Sequence, residues 1–148
     1  WAAIGGGDWQ TASNWSLGTV PQACEDVIIP ASGSMRIIEV PAATDAFGRS
    51  LTIGSNGMVI NNGNLSISGS DDDGIFLDIN ASLENNGFLD IFNIQNFGLT
   101  IGGRIENYGT INVSNLSTSF ELFIRARGML DNKMGSQVIV RDNDWSNF

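Results

Sequence analysis

Few side chains in this sequence have the types and spacing that chemistry requires. The chain has 148 residues with only seven Lys and Arg residues and no histidine, which excludes His-based acid–base catalysis, Ser-His-Asp or Cys-His nucleophiles and His-rich zinc sites. Arg125 and Arg127 are the one pair of cations that lie close together in the sequence. Alternating arginines are typical of a solvated strand face, and a catalytic role for this pair is the alternative.

Clustered carboxylates are the other chemical feature. Asp71, Asp72 and Asp73 lie in the longest segment between apolar stretches, and Asp78 follows. Hard cations bind clustered carboxylate oxygens, so the three consecutive aspartates are a weak candidate for a calcium site. Their spacing matches no named calcium loop and lacks the nine-residue period of calcium-binding β-rolls. We therefore predict a polar loop there, with the calcium site as the alternative, and no catalytic, cofactor-binding or metal-binding residue.

The remaining bulk properties limit the partners. The net charge of −9 repels nucleic acid phosphates and anionic lipid headgroups, and no apolar run approaches the roughly 18 residues that a membrane span needs. We therefore predict neither a nucleic acid partner nor membrane insertion. The single cysteine, Cys24, cannot form an internal disulfide; we expect a small buried or half-buried side chain, with an intermolecular thiol link as the alternative.

An internal repeat supplies the elements that position these side chains. Each copy reads apolar, any, Asn, any, Gly, any, apolar, any, apolar, which predicts two short strands joined by an Asn-x-Gly corner. The copies are residues 59–67 (VINNGNLSI), 83–91 (LENNGFLDI), 105–113 (IENYGTINV) and, with one extra residue, 130–140 (LDNKMGSQVIV). A further apolar pair precedes each copy: Leu51 and Ile53, Leu77 and Ile79, Leu99 and Ile101, and Leu122 and Ile124.

Three strand-like pieces per unit of 22 to 26 residues predict an all-β chain that winds once per unit. The fold class is a parallel β-helix, or β-solenoid, of about five coils with three short strands per coil. Val27 and Ile29 begin an irregular first coil, and Ile38 with Val40 are predicted to form its last strand. We predict one domain over residues 1–148, with a cap at 1–26, coils at 27–140 and a tail or cap at 141–148.

The repeat places equivalent residues above one another. Asn61, Asn85, Asn107 and Asn132 are predicted to form a ladder in which each amide donates to the next. Gly63, Gly87 and Gly109 follow two residues later, where a positive backbone angle or a tight bend without a side chain is required. These are structural roles.

Aromatic residues concentrate toward the ends, where a solenoid exposes its apolar cross-section. We predict that they cap these ends: Trp1, Trp9, Trp15, Phe120, Phe123, Trp145 and Phe148. Such aromatics also line sugar-binding surfaces, so stacking of Trp9, Trp15 or Tyr108 on sugar rings is the alternative.

The opening segment resembles a known family. It is similar to the start of β-helix domains in bacterial surface and adhesin-like proteins of the Bacteroidetes type. The matching residues are Gly7, Asp8, Trp9, Asn14 to Ser16, Gly18, Val20, Pro21, Asp26 and Val27 to Pro30. The later units resemble coils of the pectate-lyase-like superfamily. The resemblance, together with the handedness preference of parallel crossovers, implies a right-handed helix.

That superfamily contains polysaccharide lyases and hydrolases as well as adhesins and passive stalks. We predict a non-enzymatic, secreted structural protein of the extracellular space or bacterial surface. It would be a subunit of a self-assembling filament or an adhesin stalk domain, and would associate end to end. A carbohydrate-binding module, with polysaccharide as partner, or a polysaccharide-degrading enzyme is the alternative.

Overall fold

The computed structural model describes residues 1–3, 5–117 and 122–141, which form three parallel sheets wound as a β-solenoid of five coils. Sheet A contains β1 (Gly7–Asp8), β3 (Arg36–Val40), β6 (Gly57–Asn61), β9 (Ser82–Asn85), β12 (Arg104–Asn107) and β15 (Met129–Asn132). Sheet B contains β2 (Asp26–Ile29), β5 (Ser50–Ile53), β8 (Ile75–Leu77), β11 (Leu99–Ile101) and β14 (Leu122–Ile124). Sheet C contains β4 (Asp45–Gly48), β7 (Asn64–Ser68), β10 (Phe88–Phe92), β13 (Thr110–Ser114) and β16 (Gln137–Arg141).

The predicted all-β solenoid is confirmed, and its core consists of stacked aliphatic ladders. Val59, Leu83 and Ile105 are in direct register on sheet A and are buried. Sequence alternation places every second side chain of a strand inside the coil, and β-branched residues suit this pleated surface. Each fully buried Val, Leu or Ile contributes about 1.5–3 kcal/mol. The sheets thus share one continuous core.

The asparagine ladder at one corner is also confirmed. Asn61 Nδ2 donates to Asn85 Oδ1 at 2.7 Å, Asn85 Nδ2 to Asn107 Oδ1 at 2.8 Å, and Asn107 Nδ2 to Asn132 Oδ1 at 2.7 Å. The first three asparagines are fully buried. All donors therefore point in one direction, toward the C-terminal coil.

The corner glycines are required by close approach and not by a positive φ. A Cβ at Gly87 would lie 2.0 Å from the Gly63 carbonyl oxygen, and one at Gly109 would lie 2.0 Å from that of Gly87. Successive coils therefore pack backbone on backbone here. Positive φ values occur elsewhere, including at Asn56 (63°) and Asn80 (64°).

The first coil differs from its prediction. Ile38 and Val40 lie in β3, the middle strand, where they pair with Val59 and Asn61, so their assignment to the last strand is wrong. The last strand is β4, whose inward residues are Ala46 and Gly48. Those small residues lack the apolar alternation that marks the other strands, which is why the sequence pattern missed it.

Two other features of the N-terminal region were not anticipated from the sequence. The cap contributes a strand of its own, β1, which pairs with β3, and a 3₁₀ turn at Ala12–Asn14. Cys24 is exposed, so its prediction as buried or half-buried is wrong. No helix in the described ranges is long and apolar enough to cross a membrane.

Candidate functional site

The tryptophans of the N-terminal region pack as one cluster. The Trp15 ring lies 4.8 Å from Trp1 and 4.9 Å from Trp9, centroid to centroid, with edge-to-face geometry. Trp15 Nε1 donates to the Trp9 carbonyl at 2.7 Å. Trp9 is fully buried and Trp15 is 6% exposed, so neither ring is available to a sugar. Their predicted capping role is confirmed, while Tyr108 remains exposed with the Lys133 ammonium 5.7 Å from its ring centroid.

The cap also engages the backbone of all three leading strands. The Trp1 nitrogen donates to the Ile28 carbonyl of β2 at 2.8 Å, and the Trp9 N–H donates to the Glu39 carbonyl of β3 at 2.7 Å. On β4, the Gln10 side-chain amide donates to the Asp45 carbonyl at 2.8 Å. Unpaired strand edges recruit other chains, and these contacts close this end.

The C-terminal end of the described solenoid is different. Ile124 pairs with Ile101, and Val140 pairs with Val113, at positions that point into the core. Ile124 and Val140 are each 46% exposed, whereas Ile101 and Val113 are at most 1% exposed. The apolar cross-section is thus open at this end among the described residues.

Phe123, which we expected to cap this end, lies on the outer face of sheet B. It pairs with Thr100 and its ring stacks on Phe97 at 5.1 Å. The prediction that Phe123 caps the core is therefore wrong, because the alternation of β14 directs it outward. Phe120, Trp145 and Phe148 lie outside the described residues, as does the predicted tail beyond Arg141.

The three consecutive aspartates predicted as a polar loop or calcium site lie beside the outer face of sheet B. Asp71, Asp72 and Asp73 line a shallow groove of about 350 Å³ together with the Asp26–Arg49 ion pair. Side-chain amides of the next coil donate hydrogen bonds to these aspartates. Gln95 Nε2 donates to Asp71 at 2.7 Å, and Asn96 Nδ2 donates to Asp73 at 2.8 Å. Within the described part of the chain, no three acidic or cysteine side chains are arranged to hold a metal ion.

The Asp26–Arg49 pair provides the clearest electrostatic effect in that groove. Arg49 Nε donates to Asp26 Oδ1 at 2.9 Å, and Ser50 Oγ donates to the same oxygen at 2.7 Å. The hydrogen bond from Arg49 lowers the pKa of Asp26 below its ordinary value, and Ser50 adds to this. Both side chains are more than 40% exposed, so the pair stabilises the fold only modestly.

The arginine pair lies in the turn between β14 and β15, and both side chains are exposed. The Arg125 guanidinium lies 5.1 Å from the centroid of the Phe76 ring, in a cation–π contact. This position agrees with a solvated surface, although the residues occupy a turn and not a strand. No paired acid accompanies Arg125 or Arg127 among the described ion pairs.

A second ion network covers the outer face of sheet A near the same end. Arg104 lies 2.7 Å from Glu106 and 3.5 Å from Asp131, and Lys133 lies 3.4 Å from Glu106. Lys133 also contacts Asp131 and lowers its pKa, while Asp131 raises the pKa of Lys133. Glu106 and Asp131 are directly opposite each other on adjacent strands, and the two cations offset the repulsion between their carboxylates.

A groove on the outer face of sheet C was not predicted. It measures about 310 Å³ and is lined by Asp45, Phe47, Asn64, Leu65, Ser66, Phe88 and Asp90. Phe47 pairs with Ser66, while Phe88 pairs with Asn64. The two phenylalanines are thus two coils apart and two residues out of step, about 12 Å between Cα atoms. They are 39% and 40% exposed and flank polar side chains.

The sequence contained a signal for this groove, because Phe47 and Phe88 occupy outward positions of period-2 strands. The groove could not be predicted, because β4 was not predicted.

No family model matches this chain, and neither the curated proteins nor the solved structures include one that matches it significantly.

Proposed function

We propose that the chain is a non-catalytic structural module of the extracellular space or bacterial surface. It serves as a subunit of a self-assembling filament or as a stalk domain of an adhesin. The observation that carries this proposal is the contrast between the two ends of the solenoid. One end is closed by the tryptophan cluster, whereas at the other end the described residues leave Ile124 and Val140 46% exposed at core register positions.

The chemistry of the surface supports this role. The aspartates of the main carboxylate groove accept hydrogen bonds from neighbouring amides, and its single arginine is bound to Asp26. These groups act in packing coil on coil. The inward positions are filled by aliphatic ladders and the asparagine ladder, as a rigid spacer requires.

Imaging by negative-stain electron microscopy tests the proposal across a protein concentration series, with and without calcium. Five coils at about 4.8 Å each give a rod of about 24 Å. A structural subunit gives regular filaments whose subunit rise is a few tens of ångströms. Isolated short particles at all concentrations count against the filament subunit, and the stalk domain is then the remaining proposal. It is tested by measuring the stiffness of this domain within a longer chain.

A second candidate function is carbohydrate binding at the groove between Phe47 and Phe88. Exposed aromatic faces beside amide, hydroxyl and carboxylate groups suit the apolar faces and hydroxyls of a sugar chain. A glycan screen with the double variant Phe47→Ala/Phe88→Ala tests it, and Tyr108→Ala is the matched control because Tyr108 is exposed but does not line this groove. Glycan retention that disappears only in the double variant, with an unchanged melting temperature, favours this function.

A further inference from the structure

The pattern Asn-x-Ser, which is the acceptor motif for N-linked glycans, occurs five times in this chain. The five asparagines are Asn14, Asn64, Asn80, Asn112 and Asn115. The glycan is attached to the side-chain nitrogen of the asparagine, and the serine two residues later completes the motif. A folded chain can receive a glycan only where both side chains are reachable, so the structure distinguishes among the five copies.

Four of the five asparagines donate their side-chain nitrogen to another group of the chain. The acceptors are the Asp8 carbonyl for Asn14, Asp45 Oδ1 for Asn64, Asp90 Oδ1 for Asn112 and Asn93 Oδ1 for Asn115. Asn64 and Asn112 also belong to strands β7 and β13, each of which is paired on both sides. Transfer of a glycan to any of these four nitrogens breaks a hydrogen bond of the fold.

Asn80 is the exception. It is exposed, and its side-chain amide makes no hydrogen bond with any residue that the structure describes. Ser82, the hydroxyl residue of this motif, is an outward residue of β9, because Leu83 beside it is buried. Its Oγ likewise has no partner among the described residues. Both groups that the motif requires are therefore accessible.

The turn that carries Asn80 protrudes from the side of the solenoid. It joins β8 to β9 through residues 78–81, whereas the corresponding turn of the next coil consists only of Gly102 and Gly103. These two glycines have no side chains that could cover the longer turn. A shallow depression of about 190 Å³ lies beside Asn80 and is lined by both glycines.

The backbone of this turn is well defined by local contacts. Asn80 has a φ of 64°, the left-handed conformation that asparagine adopts more readily than most residues. Asp78 Oδ1 accepts the Ile79 N–H at 2.8 Å within the turn. One coil earlier, Asn56 has nearly the same φ, 63°, but its side-chain amide donates to the Ser32 carbonyl at 2.7 Å. The left-handed turn alone therefore does not release the amide, and Asn80 combines that turn with an unbound side chain.

We propose that Asn80 is an N-glycosylation site that is modified in the folded chain. The co-reactant is an oligosaccharide linked to a polyprenyl pyrophosphate. Asn80 Nδ2 forms a bond to the anomeric carbon of the first sugar, and the bond from that carbon to the pyrophosphate oxygen breaks. Polyprenyl pyrophosphate leaves, and the proton lost from Nδ2 passes to a base of the transferring enzyme. No group is oxidised or reduced.

The position is compatible with the proposed structural role and extends beyond it. Asn80 belongs to the third of the five coils and lies on the side of the rod, so a bulky glycan there leaves both ends of the described solenoid clear. The glycan also lies next to Ile79, an apolar side chain that is 45% exposed. Glycan transfer does not require filament formation, so the two proposals are tested independently.

The test incubates the purified, folded full chain with a bacterial single-subunit oligosaccharyltransferase and a polyprenyl-pyrophosphate-linked oligosaccharide. Intact mass spectrometry counts the glycans, and tandem mass spectrometry of proteolytic peptides locates them. We expect the mass to increase by one oligosaccharide, located on Asn80. The variant Asn80→Asp removes the acceptor nitrogen and tolerates the left-handed conformation, so it should abolish the increase.

The variants Ser82→Ala and Ser66→Ala form a matched pair, because each removes the serine hydroxyl of one motif from an outward strand position. Neither hydroxyl makes a hydrogen bond with the described residues, so both variants should melt like the parent chain. We expect Ser82→Ala to lose the glycan and Ser66→Ala to keep it.

Three results overturn the inference. They are a parent chain that stays unmodified, a glycan on any of the other four asparagines, and an equal glycan yield from Ser82→Ala and the parent.

Discussion

Asn61 pairs directly with Val40 in the parallel register of sheet A, and the asparagine ladder ends at this contact. Asn61 Nδ2 donates to Asn85, but Asn61 Oδ1 is buried and receives no hydrogen bond from the described residues. The first coil supplies an aliphatic side chain where each later coil supplies an amide. A buried acceptor without a donor costs about 1–3 kcal/mol.

Replacement of Val40 by asparagine is expected to extend the ladder. The new amide donates to Asn61 Oδ1, which offsets part of the loss of a buried apolar side chain, and the unpaired acceptor moves to the oxygen of the new residue. We expect the free energy of unfolding in urea to fall by about 1–2 kcal/mol. Val59→Asn on the same sheet is the matched control, since Val59 lies between Ile38 and Leu83 and gains no partner. It is expected to destabilise by about 3 kcal/mol or more, and equal losses for the two variants contradict the argument.

The interior of the ladder should be more sensitive than its end. Asn85→Leu removes the donor to Asn107 Oδ1 and the acceptor of Asn61 Nδ2, both buried. We expect a loss of about 2–4 kcal/mol in unfolding free energy. Asn132→Leu acts on an exposed side chain, where water replaces the lost group, and is expected to cost about 1 kcal/mol. A larger loss for Asn132 than for Asn85 would show that the amide chain does not stabilise the core.

The corner glycines predict a steric effect. In Gly87→Ala, the new methyl group meets the Gly63 carbonyl oxygen at 2.0 Å, so two coils must separate. We expect a loss of about 3 kcal/mol, measured by thermal and urea unfolding. Gly33→Ala is the control, because no atom lies within 4 Å of the added carbon and its φ is not positive. It should change stability by less than about 1 kcal/mol.

The Asp26–Arg49 pair predicts a pH dependence. Because the pKa of Asp26 is lowered in the folded state, its contribution to stability is present above the unfolded pKa near 4. It is lost as the pH falls through the folded pKa. Arg49→Gln should raise the pKa of Asp26 in an NMR titration and flatten the acid side of the stability curve. Arg141→Gln, at the other end of the solenoid, should leave the Asp26 titration unchanged.

The sequence predicted the parts of the fold that repeat. Asn61, Asn85 and Asn107 recur with glycine two residues later, so both the winding and the register could be predicted from spacing. Features that occur only once in the chain could not be predicted in this way. The strand β4 has Ala46 and Gly48 at its inward positions, and the exposure of Cys24 depends on how the cap packs.

The candidate sites were less predictable for a related reason. A groove such as that between Phe47 and Phe88 forms from residues 41 positions apart that meet only because the strand register is known. The burial of Trp9 and Trp15 likewise depends on their mutual packing. The exposure of Ile124 and Val140 could not be predicted from the pattern, because these residues satisfy the repeat as well as Ile101 and Val113 do.

The position of the tryptophan cluster at the start of the chain has a consequence for biosynthesis. The ribosome makes the tryptophan cluster before the coils, so each new coil can pack on a finished one as it emerges. The contacts that form join residues only 22 to 26 positions apart. Growth then proceeds in one direction, and only the most recently made coil is exposed. Moving residues 1–26 behind the last coil by circular permutation would reverse that order and leave the nascent coils aggregation-prone until those residues are made.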